Sequence, residues 1–538
     1  MDINRDNTES GTTQMGKKYS RSSEIGILFL LFSLGIALRL PWFFPAVLDW
    51  DESTFILMGQ SILDGYLPYV QLWDLKPPLA FGFFALAIAT FGKSIVGVRL
   101  AGTLCVVATA FLIYLTAKKL WTRRTGVFAA MLCIAAMSQW PHGQATLTEL
   151  VSLVPLVGAL CLLVYREPTS NTLFHAGILM ATSSLVRLNL GYVAVLIGFY
   201  ALLAPPVHSL KNLVLRSMSY AGGGLLVVTL TWIPYLLAGQ QEMWWTSVFL
   251  APLNYADSQF SVFQNLISQT KYALGVYGID QEGYVIWGRL KFLVRGVCLL
   301  VWLGGVAGFA VILRQWRNAV VSTRRASGLV MLFLVGTGFS ILKSGSANPD
   351  YMLQLIPFSA LLAAVFFEKA MFSRLRWPVL LTVAVGVAVS VRDFVPGYQE
   401  VFSRALEKKE LRYGAAYEIA EYLKRENKHH RPVYMLTDHI AYWFMGSYPL
   451  TRSTTHPSNI ARLYLLETIV GKGATVEDEL RRVLQKEPEF IVTRDYVWYL
   501  QESKNAKDLL EETLASEYIL VKEIEGRKIY RKKRPEFS

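Results

Sequence analysis

Long apolar runs separated by short polar segments recur along residues 25–391 and then stop. A helix needs about 20 predominantly apolar residues to cross a bilayer, somewhat fewer where its ends are buried in protein. The runs at 25–44, 96–117, 126–137, 150–165, 220–238, 290–313, 329–342, 351–367 and 379–391 therefore predict membrane helices. Residues 173–203 form a longer run with Arg187 and Asn189 at its middle, which predicts two short helices turning at that point. The run 77–91 is short and ends in Gly92 and Lys93. If it crossed, Lys118, Lys119, Arg123 and Arg124 would lie outside, against the tendency of basic residues to stay in the cytosol. It is expected instead to lie along the external interface. The total is about eleven crossings, with a cytosolic tail at 1–24, a membrane domain at 25–391 and an external C-terminus. Two long external loops result, one at 45–95 and one at 239–287, the second rich in aromatics such as Trp244, Trp245, Tyr255, Tyr272, Tyr277 and Tyr284. Such residues serve as interfacial anchors or as stacking surfaces for sugars.

From residue 392 the texture is that of a folded α/β unit. Residues 413–425, 476–484 and 506–514 have helical periodicity, 432–436 and 490–492 read as short buried strands, and 517–532 with Glu525-Gly526-Arg527 at its centre reads as a hairpin. The Gly222-Gly223-Gly224 run opening the helix at 220–238 predicts close packing against a neighbouring helix.

Composition agrees with a polytopic membrane protein. Only 17% of the 538 residues are charged, against about 25% in soluble chains. The net charge of +13 would suit a nucleic-acid binder, but its cations sit in short loops between apolar runs and report topology instead. Cys105, Cys133, Cys161 and Cys298 all lie within apolar runs, so no external disulfide framework is expected. His142, His429, His430, His439 and His456 are scattered without the spacing of a Cys/His metal site, and no phosphate-cradling or dinucleotide-binding glycine motif appears.

The densest chemistry lies in residues 47–86. Asp49, Asp51 and Glu52 fall within four residues of one another directly after the first membrane run, and Asp74 and Lys76 follow one short amphipathic segment later. Carboxylates beside hydrocarbon are costly unless they bind something or face water. The order Asp-Glu, amphipathic segment, Asp-Gly, Pro-Tyr, Lys-Pro-Pro-Leu resembles the first external loop of GT-C glycosyltransferases that use polyprenyl-phosphate sugars. The nearest family is the one containing the protein O-mannosyltransferases and the bacterial aminoarabinose transferase of lipid A. The resemblance implies a polytopic α-helical fold of GT-C type with interfacial helices in the first external loop and a small external α/β domain at 392–538. By motif match it places the catalytic base on Asp51 and the contact to the lipid phosphate on Lys76.

Around that pair, Asp49 and Glu52 are candidates to orient the acceptor or to hold a divalent cation, the one cofactor entertained. Arg187 is either a ligand for the lipid phosphate or one half of a structural pair inside the bundle. Lys343 is a further phosphate-binding candidate. Tyr351 lies in a segment similar to a second family signature, with Asp350 where that signature carries a basic residue or histidine. Glu149 opens a helix, where an acid is also stabilised by the helix dipole. Tyr69, Asp74, Glu149 and Tyr351 are candidates for sugar or acceptor contacts. The resulting reading is sugar transfer from a polyprenyl-phosphate donor to an acceptor hydroxyl, on lipid, glycan or protein, at the external face of the cytoplasmic membrane. The rival from another class is a lipid or sugar transporter, which would show repeated hydropathy halves. None is visible. A ligase using diphosphate-linked oligosaccharides is a further rival that leans on Arg and His clusters, which the first loop lacks.

Overall fold

The first apolar run lies on the helix α1 (Glu9–Arg39), and the chain continues in a computed structural model that describes residues 9–203, 209–253, 261–273, 278–279, 285–286, 296–316, 321–344 and 348–533. Next come α2 (Trp50–Leu63), α3 (Pro78–Phe91), α4 (Ile95–Leu120), α5 (Arg123–Gln139), α6 (Thr148–Tyr165), α7 (Ser170–Ser184), α8 (Gly191–Leu203) and α9 (Leu210–Leu237). Later apolar helices are Gly296–Gln315, Val321–Leu342, Ile356–Met371 and Arg376–Leu406. Among the described residues, eight helices are long and apolar enough to cross a membrane. The expected segments carried by α5, α7 and α8 are also helical but shorter, at 17, 15 and 13 residues. The outer faces of α9 and Arg376–Leu406 expose Leu230, Leu237, Leu381 and Val385. A continuous apolar exterior of this kind suits lipid rather than water.

The run 173–203 breaks at Leu185–Leu190, where α7 ends and a short 3-10 turn leads into α8. The glycine run acts at Gly223: a Cβ there would collide with the Phe174 carbonyl, and one at Gly177 with the Tyr220 carbonyl. The α7 and α9 backbones therefore touch, as small residues permit. α3 has 14 residues, about 21 Å of helix, which is too short to span hydrocarbon. It buries Ala80, Phe81, Phe84 and Ile88.

The helix Arg376–Leu406 runs through Arg392 without a break, because the amphipathic stretch after the apolar run continues its 3.6-residue period. The α/β unit begins beyond it, with the helix Ala415–Glu426. A four-stranded sheet has the spatial order Val433–Met435, Phe490–Thr493, Arg527–Lys532, Tyr518–Ile524. The first two strands are parallel and the others antiparallel. The hairpin turns on Glu525 and Gly526, with φ of 45° and 73°, the left-handed pair that a two-residue hairpin turn requires.

This unit does not stand apart from the first long loop. One core joins Phe55, Trp73 and Phe81 to Ile419, Met435 and Trp443. Trp443 Nε1 donates to Gln60 Oε1 (3.0 Å), the Trp73 amide donates to Thr455 Oγ1 (3.1 Å), and the Ala46 amide donates to the Tyr413 carbonyl (2.8 Å). In the second long loop, Trp244 and Tyr272 are buried within the protein. They fill the core rather than anchor at an interface; Trp245 is exposed. Tyr255, Tyr277 and Tyr284 lie outside the described residues.

Candidate active site

The Asp-Trp-Asp-Glu sequence is the start of a helix. Asp49 has extended backbone and its Oδ1 accepts from the Asp51 amide at 2.7 Å, capping α2. The next three side chains then fan around the first turn. Trp50 inserts among His439, His456 and Tyr499 of the C-terminal unit, with ring centroids 5.8 to 6.4 Å away. Thr54, one turn on, meets His439 Nε2 through its hydroxyl at 2.9 Å. Asp51 turns into a cavity of about 680 Å³.

Lys76 reaches the same carboxylate, with Nζ 3.3 Å from Asp51 Oδ2. Its backbone is held from both sides. The Lys76 amide donates to Asp74 Oδ1 at 3.1 Å, and its carbonyl accepts from the Tyr69 hydroxyl at 2.7 Å. The ammonium also sits 5.1 Å from the centre of the Phe55 ring. His456 approaches from the C-terminal unit, with Nε2 3.6 Å from Asp51 Oδ1. Its Nδ1 accepts from the Ser458 amide at 3.3 Å, which leaves the proton on Nε2, facing Asp51. Burial pushes this imidazole well below its usual range, so it is neutral.

Burial alone would push the Asp51 carboxyl up, but the Lys76 ammonium, with Arg462 and Arg187 farther off, outweighs it and holds Asp51 below the usual carboxylate range. Although sunk in the cavity, Asp51 keeps 35% of its side-chain surface open to it. Lys76 shows the complementary effect: burial disfavours its charge, yet Asp51 and Asp74 raise its pKa. Burial raises Asp74, against the pull of Lys76.

Four cations, Lys76, Arg187, Lys343 and Arg462, line the cavity, and the apolar side chains of Val195 on α8 and Leu253 line it too. Arg187 is one half of a structural pair and also lines the cavity. It pairs with Glu149 at 2.6 Å and donates to Thr148 Oγ1 at 3.1 Å. Its guanidinium also lies 4.3 Å from the centre of the Tyr351 ring, at the cavity wall.

Behind the cavity, Asp49, His142 and Asp350 bring one ligand atom each within 4.8 Å of one another. His142 Nδ1 lies 3.4 Å from Asp49 Oδ2 and 3.2 Å from Asp350 Oδ1. Asp49 Oδ2 remains available, since Oδ1 caps α2. Burial, reinforced by Asp51 and Asp350 against the lowering influence of His142, pushes the Asp49 carboxyl up to about 7. Two carboxylates and an imidazole converging at this range fit a divalent cation of the Mn²⁺ or Zn²⁺ kind.

Residues 75–237 match the family model described as dolichyl-phosphate-mannose-protein mannosyltransferase. The structure is similar to that of ArnT from Cupriavidus metallidurans bound to undecaprenyl phosphate, with a TM-score of 0.56 at 13% identity, over 95% of this chain and 97% of that one. The chain has a GT-C type of fold. Two structures of the Archaeoglobus fulgidus oligosaccharyltransferase share the fold. Its apo form gives a TM-score of 0.50 at 12% identity over 88% of this chain and 69% of that one. AglB in complex with an inhibitory peptide and a dolichol-phosphate gives 0.50 at 11% identity, over 97% and 75%. No curated protein sequence matches the chain.

Within this GT-C fold several sequence expectations change place. Glu52 does not reach the cavity. It is buried against Arg99, with Nη2 to Oε2 at 2.7 Å, and accepts from the Thr146 amide at 2.6 Å. A helix turn rotates by about 100° per residue, so Glu52 points into the bundle where Asp51 points out of it. Glu149 is buried against Arg187 and is not among the residues that line the cavity. Tyr69 is fully buried with its hydroxyl engaged, so it positions Lys76 rather than touching an acceptor. The Asp51 carboxyl lies below its usual range because Lys76 faces it. Asp74, Lys343 and Tyr351 do line the cavity. Sequence reasoning missed Arg99, His142, His456 and Arg462. A lone arginine within the apolar run 96–117 was the available signal for Arg99; nothing local marks the others.

Proposed function

We propose that this chain transfers a sugar from a polyprenyl-phosphate donor to an acceptor hydroxyl at the external face of the cytoplasmic membrane, with its N-terminus in the cytosol. The observation that carries this reading is the Asp51–Lys76 pair at the wall of a cavity lined both by the cations Lys76, Arg187, Lys343 and Arg462 and by apolar side chains such as Val195 and Leu253. The ArnT structure bound to undecaprenyl phosphate and the AglB complex with a dolichol-phosphate support it as relatives of the same fold. The donor's prenyl chain enters past Val195 and Leu253, and its phosphate meets Lys76, with Arg187 and Lys343 nearby.

The low pKa of Asp51 suits a guarded base. While Lys76 holds it, Asp51 is ionised but weak. When Lys76 turns to the donor phosphate, the carboxylate loses the partner that depressed it and becomes a stronger proton acceptor. Lys76 then offsets the charge growing on the departing phosphate. Donor binding and base activation are thus one event. Asp49, His142 and Asp350 would hold a divalent ion, which when bound supplies further positive charge beside the site.

The test uses the purified full-length chain in nanodiscs, supplied with undecaprenyl monophosphate sugars and an envelope extract. Release of undecaprenyl phosphate together with a glycosylated acceptor is the expected result. Use of diphosphate-linked sugars alone would exclude the reading.

A further inference from the structure

The C-terminal unit reaches the cavity through His456, Asn459, Arg462, Leu465 and Trp498, and most of these lie in the short segment 456–462. His456 comes within 3.6 Å of Asp51, and Asn459 and Arg462 line the same space as Lys76. The segment is fixed in place. Thr451 and Thr454 cap the turn before it reciprocally, Thr455 accepts from the Trp73 amide, and within it the Asn459 amide donates to the His456 carbonyl at 2.9 Å while the Arg462 amide donates to the Asn459 carbonyl at 3.2 Å.

Asn459 is 2% exposed, and its Nδ2 has no acceptor among the described residues. A buried amide N–H without an acceptor is a standing cost to the fold. Such groups persist where a ligand completes them. The cations near Asp51 suit a phosphate; Asn459 offers a neutral donor instead, which suits a hydroxyl or carbonyl oxygen. Trp498 lines the cavity too and gives a flat ring on which the C–H face of a pyranose can lie.

We propose that residues 456–462 form the subsite that reads the transferred sugar, with Asn459 Nδ2 donating to one of its oxygens. This rests on the polyprenyl-phosphate reading given above: with the lipid toward Val195 and Leu253 and the phosphate at Lys76, the sugar is the part of the donor that faces the C-terminal unit. His456 is a positioning residue for Asp51, and Asn459 touches the substrate.

The experiment compares binding of bare undecaprenyl phosphate with binding of undecaprenyl phosphate bearing mannose, glucose, galactose or aminoarabinose, using full-length protein in nanodiscs. Wild type is expected to bind at least one sugar-bearing lipid more tightly than the bare lipid. Asn459→Ala should reduce that preference roughly three- to tenfold, the worth of one neutral hydrogen bond, and leave affinity for bare undecaprenyl phosphate unchanged. Asn459→Leu, which keeps the volume without the donor or a charge, should do the same and carries the test if the alanine variant does not fold. Lys76→Ala should weaken all the lipids together. A preference retained in both Asn459 variants, or no preference in wild type, overturns the subsite while leaving the donor reading intact. Failure of wild type to bind any of these lipids overturns the donor reading and the subsite with it.

Discussion

Lys76 Nζ lies 3.3 Å from Asp51 Oδ2 across 25 residues of chain, and each residue moves the other's pKa toward the charged form. Because the folded-state pKa of Asp51 is depressed, the stability it contributes is present above the unfolded carboxylate value and is lost as pH falls through the folded value. Lys76→Met leaves burial as the leading influence and raises the Asp51 pKa. The variant should lose about 1–3 kcal/mol at pH 7, less than a fully buried pair because the site faces a cavity. The deficit should shrink between pH 7 and pH 5 as Asp51 protonates. Thermal unfolding in detergent across that range checks the sign, and a deficit that widens toward pH 5 would contradict it.

Asp51→Asn keeps the shape of the side chain but removes the base. Turnover should fall by about 10² to 10⁴, or roughly 3 to 5 kcal/mol of transition-state stabilisation, with expression unchanged. Asp49→Asn should behave differently, because Asn still caps α2 and Asp49 faces His142 rather than the Lys76 cavity. Equal losses in the two variants would show that only the summed charge matters.

Glu52→Gln should act on folding rather than on chemistry. It leaves Arg99, fully buried, without its carboxylate, and breaking a buried pair costs about 3–5 kcal/mol. A large drop in thermal stability with near-normal turnover of the folded fraction is expected. Normal stability with abolished turnover would return Glu52 to the reaction.

The Asp49–His142–Asp350 cluster should bind Mn²⁺ with 1:1 stoichiometry in isothermal titration of chelator-treated protein. Asp350→Ala should weaken binding by about tenfold or more, since three ligands become two. Identical affinity in the variant would show that the cluster is held together by hydrogen bonds alone.

The C-terminal unit packs on α2 and contacts Asp51, so it must lie on the same side of the membrane as the first loop. An alkaline phosphatase fused at the C-terminus should be active, and a fluorescent protein that matures only in the cytosol should stay dark there. The opposite result would invert the proposed topology.

The sequence by itself determined the elements. Apolar run length, the break at Arg187 and the hairpin at Glu525-Gly526 are local patterns, governed by the 3.6-residue helix period and by turn chemistry. It also marked Asp51 and Lys76, because their motif is contiguous. Only the tertiary structure decided which carboxylate enters the cavity: helix phase sends Glu52 to Arg99 and Asp51 to Lys76, and the partner at position 99 is set by how α4 packs. The same holds for His142, Asp350, His456 and Asn459. They come from three segments separated by 208 and 106 residues, and nothing in a lone His or Asn in a polar stretch says what faces it. Their meeting depends on one core shared by α2, α3 and the C-terminal sheet, and apolar burial fixes that arrangement without leaving a local signature, since it depends on area rather than order along the chain.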